Sequence, residues 1–344
     1  MAARTVKQSE EIMKAGTETR SKTQRPIFKW AVLPVVAVIA GLVCQMAWSA
    51  ECDIGHLCGF NQSVYMGHSF FRPGCDDIEV LAPYCGYSRH TQYEQIRGGT
   101  NGDPGSLWRD TGENELAKAE IKKGNVEIVG MTWTGDAADC EFEDYTTWID
   151  FILQYNADTF DTFFVQTVWA SYTNNPTYAL HRATQDLINA AIHDMVQQLR
   201  TAYPQLTILA VPVGEAMSRL WLLYEQGQLG PEIWGVKLDG NRDNYLQYDN
   251  TGHAGNIMED TIGLIWHQTI YPETDIRTVS NPPNYQYNWT YDIRQLAYDI
   301  VQDDPYAHRY RDVPVLPTAG GLGLALGAGL LALGGAVTVI RRRQ

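Results

Sequence analysis

The sequence predicts an α/β fold, a three-layer α/β/α sandwich in which helices cover both faces of a mostly parallel sheet. Two observations support this prediction: short apolar runs have the length of strands, and segments with helical periodicity separate them. Strands that alternate with helices are typical of parallel sheets that are buried on both faces. Ligands of such folds bind at the carboxyl ends of the strands, so the chemistry of this chain is expected there.

Four apolar runs are the predicted strands. They are SVYMG at 63–67, NVEIVGMTW at 125–133, TFFVQTVW at 162–169 and LTILAVPVG at 206–214. A helix-prone segment precedes each of the last three. The longest segment, at 178–203, repeats apolar residues at steps of three and four, as an amphipathic helix does. A shorter pattern of the same kind over 293–301 predicts a final helix.

The amino-terminal segment has the order of a secretory signal. Residues 1–29 are polar and basic, residues 30–47 are almost continuously apolar, and the small-residue stretch WSA precedes Glu51. This order predicts a signal peptide over residues 1–50 that is cleaved after Ala50. The alternative is an uncleaved membrane anchor. Either interpretation exports the body of the protein, residues 51–311.

The carboxyl-terminal segment has the composition of a membrane anchor. Residues 319–340 are uncharged and mostly apolar, enough for a helix to cross roughly 30 Å of hydrocarbon. Three arginines follow, and basic clusters favour the cytoplasmic side. The sequence therefore predicts a linker at 312–318, a transmembrane helix at 319–340 and a basic tail at 341–344. The body would face the periplasm or the cell surface.

The motif VPVLPTAG at 313–320 precedes this apolar segment. Together the motif, the apolar segment and the arginine run resemble the bacterial PEP-CTERM-like sorting tails, in the variant that begins with a VPLPA-type motif. The resemblance implies that an exosortase-type processing enzyme recognises the tail.

The body is strongly acidic. Residues 51–311 contain 16 Lys or Arg and 36 Asp or Glu, a net charge of −20. A surface of this charge repels phosphate backbones, so nucleic acid is not an expected partner.

The cysteines of the body suggest disulfides in an oxidising compartment. The short-range candidates are Cys52 with Cys58 and Cys75 with Cys85, which would leave Cys140 over. The sequence contains neither a CxxC nor an HExxH spacing, so it predicts no zinc site and no other metal or organic cofactor.

Ser69 is the candidate nucleophile because it follows the first predicted strand directly. A serine needs a base, a group that orients the base, and donors for the developing oxyanion. His253, in a Gly-rich loop before an apolar helix pattern, is the candidate base. Asp249 and Asn250 precede it by four and three residues, within reach of its ring. The alternatives are a turn role for Ser69 and a helix-capping role for His253.

The order of these parts resembles the SGNH, or GDSL-like, hydrolase family over residues 64–271. In that family the serine lies in a GxS turn, here Gly67-His68-Ser69, and an aspartate and histidine lie near the end, here in YDNTGH. A glycine in the loop after the second strand donates to the oxyanion. In IRGGTNGDPGSLW the best match is Gly102, and Gly99 is next. The resemblance implies a flavodoxin-like sheet, and an oxyanion hole formed by Ser69 with one of these glycines.

Two positions depart from the family pattern. The family's Gly-x-Asn-Asp block follows the third strand, but IVGMTWTGD at 128–136 contains no asparagine. The family's aspartate lies three residues before the histidine, where this chain has Asn250, so Asp249 is the candidate orienting acid and a Ser-His dyad is the alternative. Gln166 and Trp169 are expected as wall residues, with Gln166 the alternative oxyanion donor. His181 and His193 are expected as packing or surface residues.

The leading functional prediction is an exported, membrane-tethered serine hydrolase that acts on an ester. Its substrate would be a small-molecule or glycan ester, such as an acyl or acetyl group on a carbohydrate. One alternative is a catalytically inactive surface protein that binds carbohydrate, which the absent asparagine block and the many Trp and Tyr residues favour. Metal-dependent hydrolysis by the acidic loops is a third hypothesis, although no ligand spacing supports it.

Overall fold

The computed structural model describes residues 60, 62–112, 114–134, 140–282 and 288–308. The predicted signal peptide, linker, transmembrane helix and sorting motif lie outside the described residues, as do Cys52 and Cys58. Within the described ranges, no helix is both long enough and apolar enough to cross a membrane.

A sheet of five parallel strands lies at the centre of the body, which confirms the predicted α/β class. The strands are β1 Ser63–His68, β2 Gln92–Arg97, β3 Ile128–Thr132, β4 Thr162–Gln166 and β5 Thr207–Val211. Their order is β2-β1-β3-β4-β5, and every neighbouring pair is parallel. In this order the chain reverses its direction of travel between β1 and β3, and such a reversal opens a crevice at the carboxyl ends of the strands.

The four predicted apolar runs contain β3, β4, β5 and all of β1 except its last residue, His68. Strand β2, with the sequence QYEQIR, was not among these runs because it is polar and mostly half-buried at the edge of the sheet. The other edge strand, β5, is apolar and mostly buried, and it was predicted.

The described residues also form eight α-helices and a second, two-stranded parallel sheet. The small sheet consists of β6 Gly235–Lys237 and β7 Tyr245–Gln247, and short 3-10 turns span Gly99–Gly102 and Ile276–Thr278. The helices are α1 Arg72–Tyr84, α2 Pro104–Arg109, α3 Asn114–Ile121, α4 Phe142–Asn156, α5 Tyr178–Ala202, α6 Val213–Glu225, α7 Asn256–Ile270 and α8 Ile293–Asp303.

Two apolar cores lie on the two faces of the central sheet. Successive side chains of a strand point to opposite faces, so Val64 and Met66 join one core and Tyr65 joins the other. Helices α2 to α5 contribute to the first core, and α1, α6, α7 and α8 contribute to the second. In the second core the ring of Trp266 packs edge-on against Phe164 at a centroid distance of 4.9 Å.

Helix α1 lies very close to α7 because a glycine is present at the contact. A Cβ atom on Gly74 would lie 2.1 Å from the indole ring of Trp266. No side chain larger than hydrogen fits there without displacing the buried indole. This close contact holds α1, and with it the turn that precedes α1, against the body.

The predicted disulfide between Cys75 and Cys85 is wrong. Within the described part of the chain, Cys75, Cys85 and Cys140 are free thiols. Cys75 lies in the first turn of α1 and Cys85 directly follows its last turn, so the two are about 15 Å apart along the helix axis. A disulfide requires Cα atoms within about 7 Å. Burial raises the pKa of Cys85 to about 11, so this thiol stays protonated at neutral pH.

Candidate active site

Ser69 lies in a tight turn between β1 and α1. The backbone N–H of Phe71 donates to the carbonyl oxygen of His68 at 2.9 Å and closes the turn. A Cβ atom on Gly67 would lie 2.7 Å from the ring of Phe71, so this position requires glycine. The turn leaves Ser69 half-buried at the carboxyl end of a central strand.

The loop between β7 and α7 carries His253. It is closed at its base by two backbone hydrogen bonds, from Tyr248 N to His253 O at 3.0 Å and from Gly255 N to Leu246 O at 2.8 Å. Gly252 adopts a φ of +92°, a left-handed conformation that favours glycine. The loop therefore has a defined shape, although Asn250 and Thr251 at its tip are exposed.

The structure brings the side chains of Ser69, His253 and Asp249 into one line. His253 Nε2 lies 2.6 Å from Ser69 Oγ, and His253 Nδ1 lies 2.5 Å from Asp249 Oδ2. Because an ionised carboxylate only accepts, Nδ1 carries the ring hydrogen and Nε2 accepts from the serine hydroxyl. This is the arrangement of a nucleophile, a base and a group that orients the base.

Asp249 is held as a carboxylate by its own loop. Its Oδ1 atom accepts from the backbone N–H groups of Thr251, Gly252 and His253 at 2.9 to 3.0 Å. Partial burial acts to raise the pKa of Asp249, but hydrogen bonds from the ring and backbone of His253 outweigh it and hold that pKa well below its usual value. The acid therefore stays charged at neutral pH.

Asn250, at the position where the family has its acid, points away from the histidine. Its Oδ1 accepts from Lys237 Nζ at 2.5 Å, and its Nδ2 donates to Asp239 Oδ2 at 2.8 Å. The side chain in contact with His253 Nδ1 is thus the aspartate at minus four rather than the residue at minus three.

Trp169 connects the serine turn to the histidine loop. Its ring stacks on Phe70 at a centroid distance of 4.3 Å and an interplanar angle of 6°, and its Nε1 donates to the carbonyl of Gly252 at 2.8 Å. Phe70 in turn meets the His253 ring edge-on at 5.3 Å. The ring of Tyr248 covers another side of the imidazole, at 5.8 Å. These contacts hold the imidazole of His253 within hydrogen-bonding distance of Ser69.

Gln166 supports the same turn from β4. Its Nε2 donates to the carbonyl of Phe70 at 3.0 Å, and its Oε1 accepts from Trp266 Nε1 at 2.7 Å. Since its amide donates to the backbone of the turn, Gln166 acts here as a positioning residue. The sequence predicts a wall residue at this position, with an oxyanion donor as the alternative.

Gly102 lies directly against the end of β1. A Cβ atom on Gly102 would lie 2.5 Å from the carbonyl oxygen of Gly67 and 2.7 Å from the Cβ of His68. Only glycine permits this approach, which brings the 3-10 turn beside the serine. Gly99, at the start of the same turn, has a φ of +54° and open space around it.

The segment after β3 is where the family has its asparagine. Here Thr134 Oγ1 donates to Asp103 Oδ2 at 2.8 Å. Residues 135–139, which follow, lie outside the described residues.

His68 was not singled out from the sequence, yet it belongs to the turn. It is 3% exposed, and its Nδ1 accepts from the Phe70 N–H at 3.2 Å, so Nε2 carries the ring hydrogen. Burial, assisted by the neighbouring His253, lowers the pKa of His68 to about 4. The burial of His68 could have been predicted from the alternation of β1, because His68 shares a face with the buried Val64 and Met66.

The sequence predicts packing or surface roles for His181 and His193. Neither takes part in the hydrogen bonds that join Ser69, His253 and Asp249. His181 is buried between Ala170 O and Ser218 Oγ, at 3.1 and 3.0 Å, and His193 contacts Asp304 at 2.9 Å. The described ranges contain no group of three or more His, Cys, Asp or Glu residues placed to hold a metal ion.

No family model matches the sequence, and no curated protein matches it. One similar solved structure is a DUF4886 family protein from Bacteroides uniformis, with a TM-score of 0.42 and 11% identity, covering 74% of this chain and 99% of its own. Another is the periplasmic domain of a lipopolysaccharide acetyltransferase from Salmonella ser. Paratyphi A, with a TM-score of 0.37 and 12% identity. The match covers 63% of this chain and 84% of that domain's chain.

The variant His68→Asn is expected to make stability less sensitive to acid. Asparagine keeps an acceptor for the Phe70 N–H. In the wild type, the folded-state pKa of about 4 lies below the unfolded value of about 6.5, so the unfolded chain binds the proton first. The contribution of neutral His68 to the free energy of unfolding is complete above about pH 6.5 and is lost as the pH falls towards 4.

The measurement is urea unfolding of both proteins at pH 7 and pH 5. The loss of unfolding free energy between these pH values is expected to be about 2 kcal/mol smaller in His68→Asn. Comparing the two proteins cancels the contributions of all other titrating groups. The same loss in both proteins would show that His68 is not a buried neutral histidine.

Proposed function

We propose that this protein is a serine hydrolase that cleaves esters. The observation that supports it is the line from Ser69 Oγ to His253 Nε2 and from His253 Nδ1 to Asp249 Oδ2. A serine hydroxyl is a weak nucleophile until a base takes its proton, and the imidazole lies at the distance for that transfer. The same line favours an enzyme over a binding protein that has lost catalysis.

The reaction takes two steps on this arrangement. Ser69 Oγ attacks the ester carbonyl carbon while His253 Nε2 takes the hydroxyl proton, and Asp249 stabilises the imidazolium. His253 then gives that proton to the departing alkoxide, the alcohol leaves, and the acyl group remains on Ser69. A water molecule attacks this acyl-enzyme with His253 again as base, the acid is released, and Ser69 regains its proton.

The backbone N–H groups of Ser69 and Gly102 are the proposed donors to the oxyanion. The proposal is supported by the close packing of Gly102 against Gly67, which places the 3-10 turn at the end of the serine strand. Loss of one such donor costs on the order of 10²-fold or more in rate. In this proposal both donors are backbone groups, so the oxyanion hole does not depend on the missing asparagine.

The first test is labelling of the full-length protein with a fluorophosphonate probe. The probe reacts with an activated serine, so the wild type should be labelled and Ser69→Ala should not. Circular dichroism of both proteins is the control for folding. Absence of label in the folded wild type, or equal labelling of both proteins, would refute the assignment of Ser69 as the nucleophile.

The second test separates the two candidate acids. Asp249→Asn keeps an oxygen for the loop N–H groups but removes the charge, and kcat for a p-nitrophenyl ester is expected to fall by about 10²- to 10⁴-fold. Asn250→Ala removes contacts to Lys237 and Asp239 and should change kcat by less than about twofold. A larger loss in Asn250→Ala than in Asp249→Asn would reverse the assignment.

We further propose that the enzyme is exported and tethered, and that its ester is an acyl or acetyl group on a carbohydrate. The sequence signals at both ends support export, and an exosortase-type enzyme is the proposed processing partner. Deleting residues 313–344 should release the esterase into the medium, as cell fractionation with activity assays would measure. A deletion variant that stays with the membrane fraction would contradict the prediction that residues 313–344 anchor the protein to the membrane.

A further inference from the structure

The ring of His68 has one nitrogen that the fold uses and one that has no partner. Nδ1 accepts from the Phe70 N–H at 3.2 Å, so the ring hydrogen is on Nε2. Among the described residues, no hydrogen-bond acceptor contacts Nε2, although His68 is only 3% exposed. Buried donors are almost always paired in folded proteins, so an unpaired donor next to a candidate nucleophile indicates a functional role.

Two contacts place this ring beside the proposed oxyanion hole. A Cβ atom on Gly102 would lie 2.7 Å from the Cβ of His68, so the His68 side chain leaves its strand directly against a proposed backbone donor. The contact with Phe70 N ties the ring to the backbone of the serine turn. Two ring bonds of about 1.3 Å separate the nitrogens, so Nε2 lies within about 6 Å of Phe70 N, which is bonded to the carbonyl carbon of Ser69.

The position of His68 also bears on the missing asparagine. Strand β1 pairs with β3, and Met66 is the register partner of Met131. Continuing that register by two residues sets His68 opposite Trp133, directly after the end of β3. In the hydrolase family that the sequence resembles, the asparagine block follows this third strand. His68 and the missing asparagine therefore belong to neighbouring strand ends.

The His68 ring is a neutral donor. Burial, assisted by the neighbouring His253, lowers the pKa of His68 to about 4, so the ring carries no charge at neutral pH. His253 becomes positively charged in the proposed reaction, and a second cation beside it would oppose that change. A neutral N–H avoids this repulsion and still stabilises negative charge on an oxygen. Donors that are fixed and desolvated in advance are the most effective ones.

We propose that His68 is a third donor to the oxyanion, through its Nε2–H, and takes the place of the missing asparagine. This inference rests on the proposed function and adds a side-chain donor to the two backbone donors. As Ser69 Oγ attacks the ester, negative charge develops on the carbonyl oxygen, and Nε2–H donates a hydrogen bond to that oxygen. Nε2 keeps its hydrogen throughout, and the hydrogen bond weakens when the alkoxide leaves and the C=O bond forms again.

Two substitutions separate the proposed donor from the turn contact, because each keeps one edge of the ring. His68→Asn has an amide at the position of Nδ1 and can still accept from the Phe70 N–H, but it has no group at the position of Nε2. His68→Gln has an amide that can donate from the position of Nε2, but it lacks the acceptor for Phe70. The assay is steady-state hydrolysis of a p-nitrophenyl ester by the full-length proteins.

His68→Asn is expected to lose about 10²-fold in kcat with KM changed by less than about threefold, because an oxyanion donor acts in the transition state. His68→Gln should keep kcat within about tenfold of the wild type. If His68 only closes the turn, His68→Gln would lose more than His68→Asn. That order, or equal kcat in all three proteins, would overturn the proposal.

His267→Phe is the matched control. His267 is also fully buried, and its two ring nitrogens have no hydrogen-bond partner in the described part of the chain. It lies about 16 Å along α7 from the end that follows the histidine loop. This variant should change kcat by less than about twofold. A loss as large as that of His68→Asn would show a general effect of replacing a buried histidine and would overturn the proposal.

A spectroscopic measurement tests the wild type directly. A trifluoromethyl ketone accepts the serine hydroxyl and forms a tetrahedral adduct whose oxygen carries the negative charge. In protein labelled with ¹⁵N-histidine, the Nε2 hydrogen of His68 should move downfield in the ¹H NMR spectrum when the ketone binds. Absence of its signal from His68→Asn identifies it. A signal that does not move when the adduct forms would overturn the donor role.

The fluorophosphonate probe separates this inference from the proposed function. A folded wild type that is not labelled and hydrolyses no ester would overturn the hydrolase and the role of His68 with it. A labelled, active wild type in which His68→Gln loses more kcat than His68→Asn would overturn only the role of His68. A labelled, active wild type with the opposite order would support both.

Discussion

The hydrogen bond between Ser69 Oγ and His253 Nε2 joins two loops that are 184 residues apart in the chain. The serine turn takes its position from β1, and the histidine loop is held by the indole N–H of Trp169, which follows β4. Stacking of Phe70 on Trp169 then joins the two supports. The geometry of the site therefore depends on the sheet, whose register places the ends of β1 and β4.

Electrostatics around His253 follow from the same arrangement. Asp249 lies on a partly exposed loop, yet three backbone N–H groups and the imidazole stabilise its charge. On the other side, the ring of His68 is buried and neutral, so it places no competing positive charge beside the imidazolium of the proposed reaction. One fixed negative charge and one neutral ring together favour proton transfer from the serine to His253.

Much of the fold and part of the site were predictable from local sequence. Apolar runs separated by helical periodicity predicted the parallel sheet, and β2 was missed because its sequence, QYEQIR, is polar and mostly half-buried. The disulfide prediction for Cys75 and Cys85 failed because spacing in sequence does not report the rise of the helix between them. Gly102 was selected by resemblance, and its close contact with Gly67 gives a physical reason for a glycine there.

The sequence by itself determined the α/β class and placed Ser69 and His253 at strand and loop junctions, since burial patterns and turn residues are local properties. Only the tertiary structure decided which of two adjacent side chains, Asp249 or Asn250, contacts the histidine. That choice depends on Lys237 and Asp239, which hold Asn250 away from the ring. This outcome is set by contacts with a segment 13 and 11 residues away in the chain, which no local pattern reports.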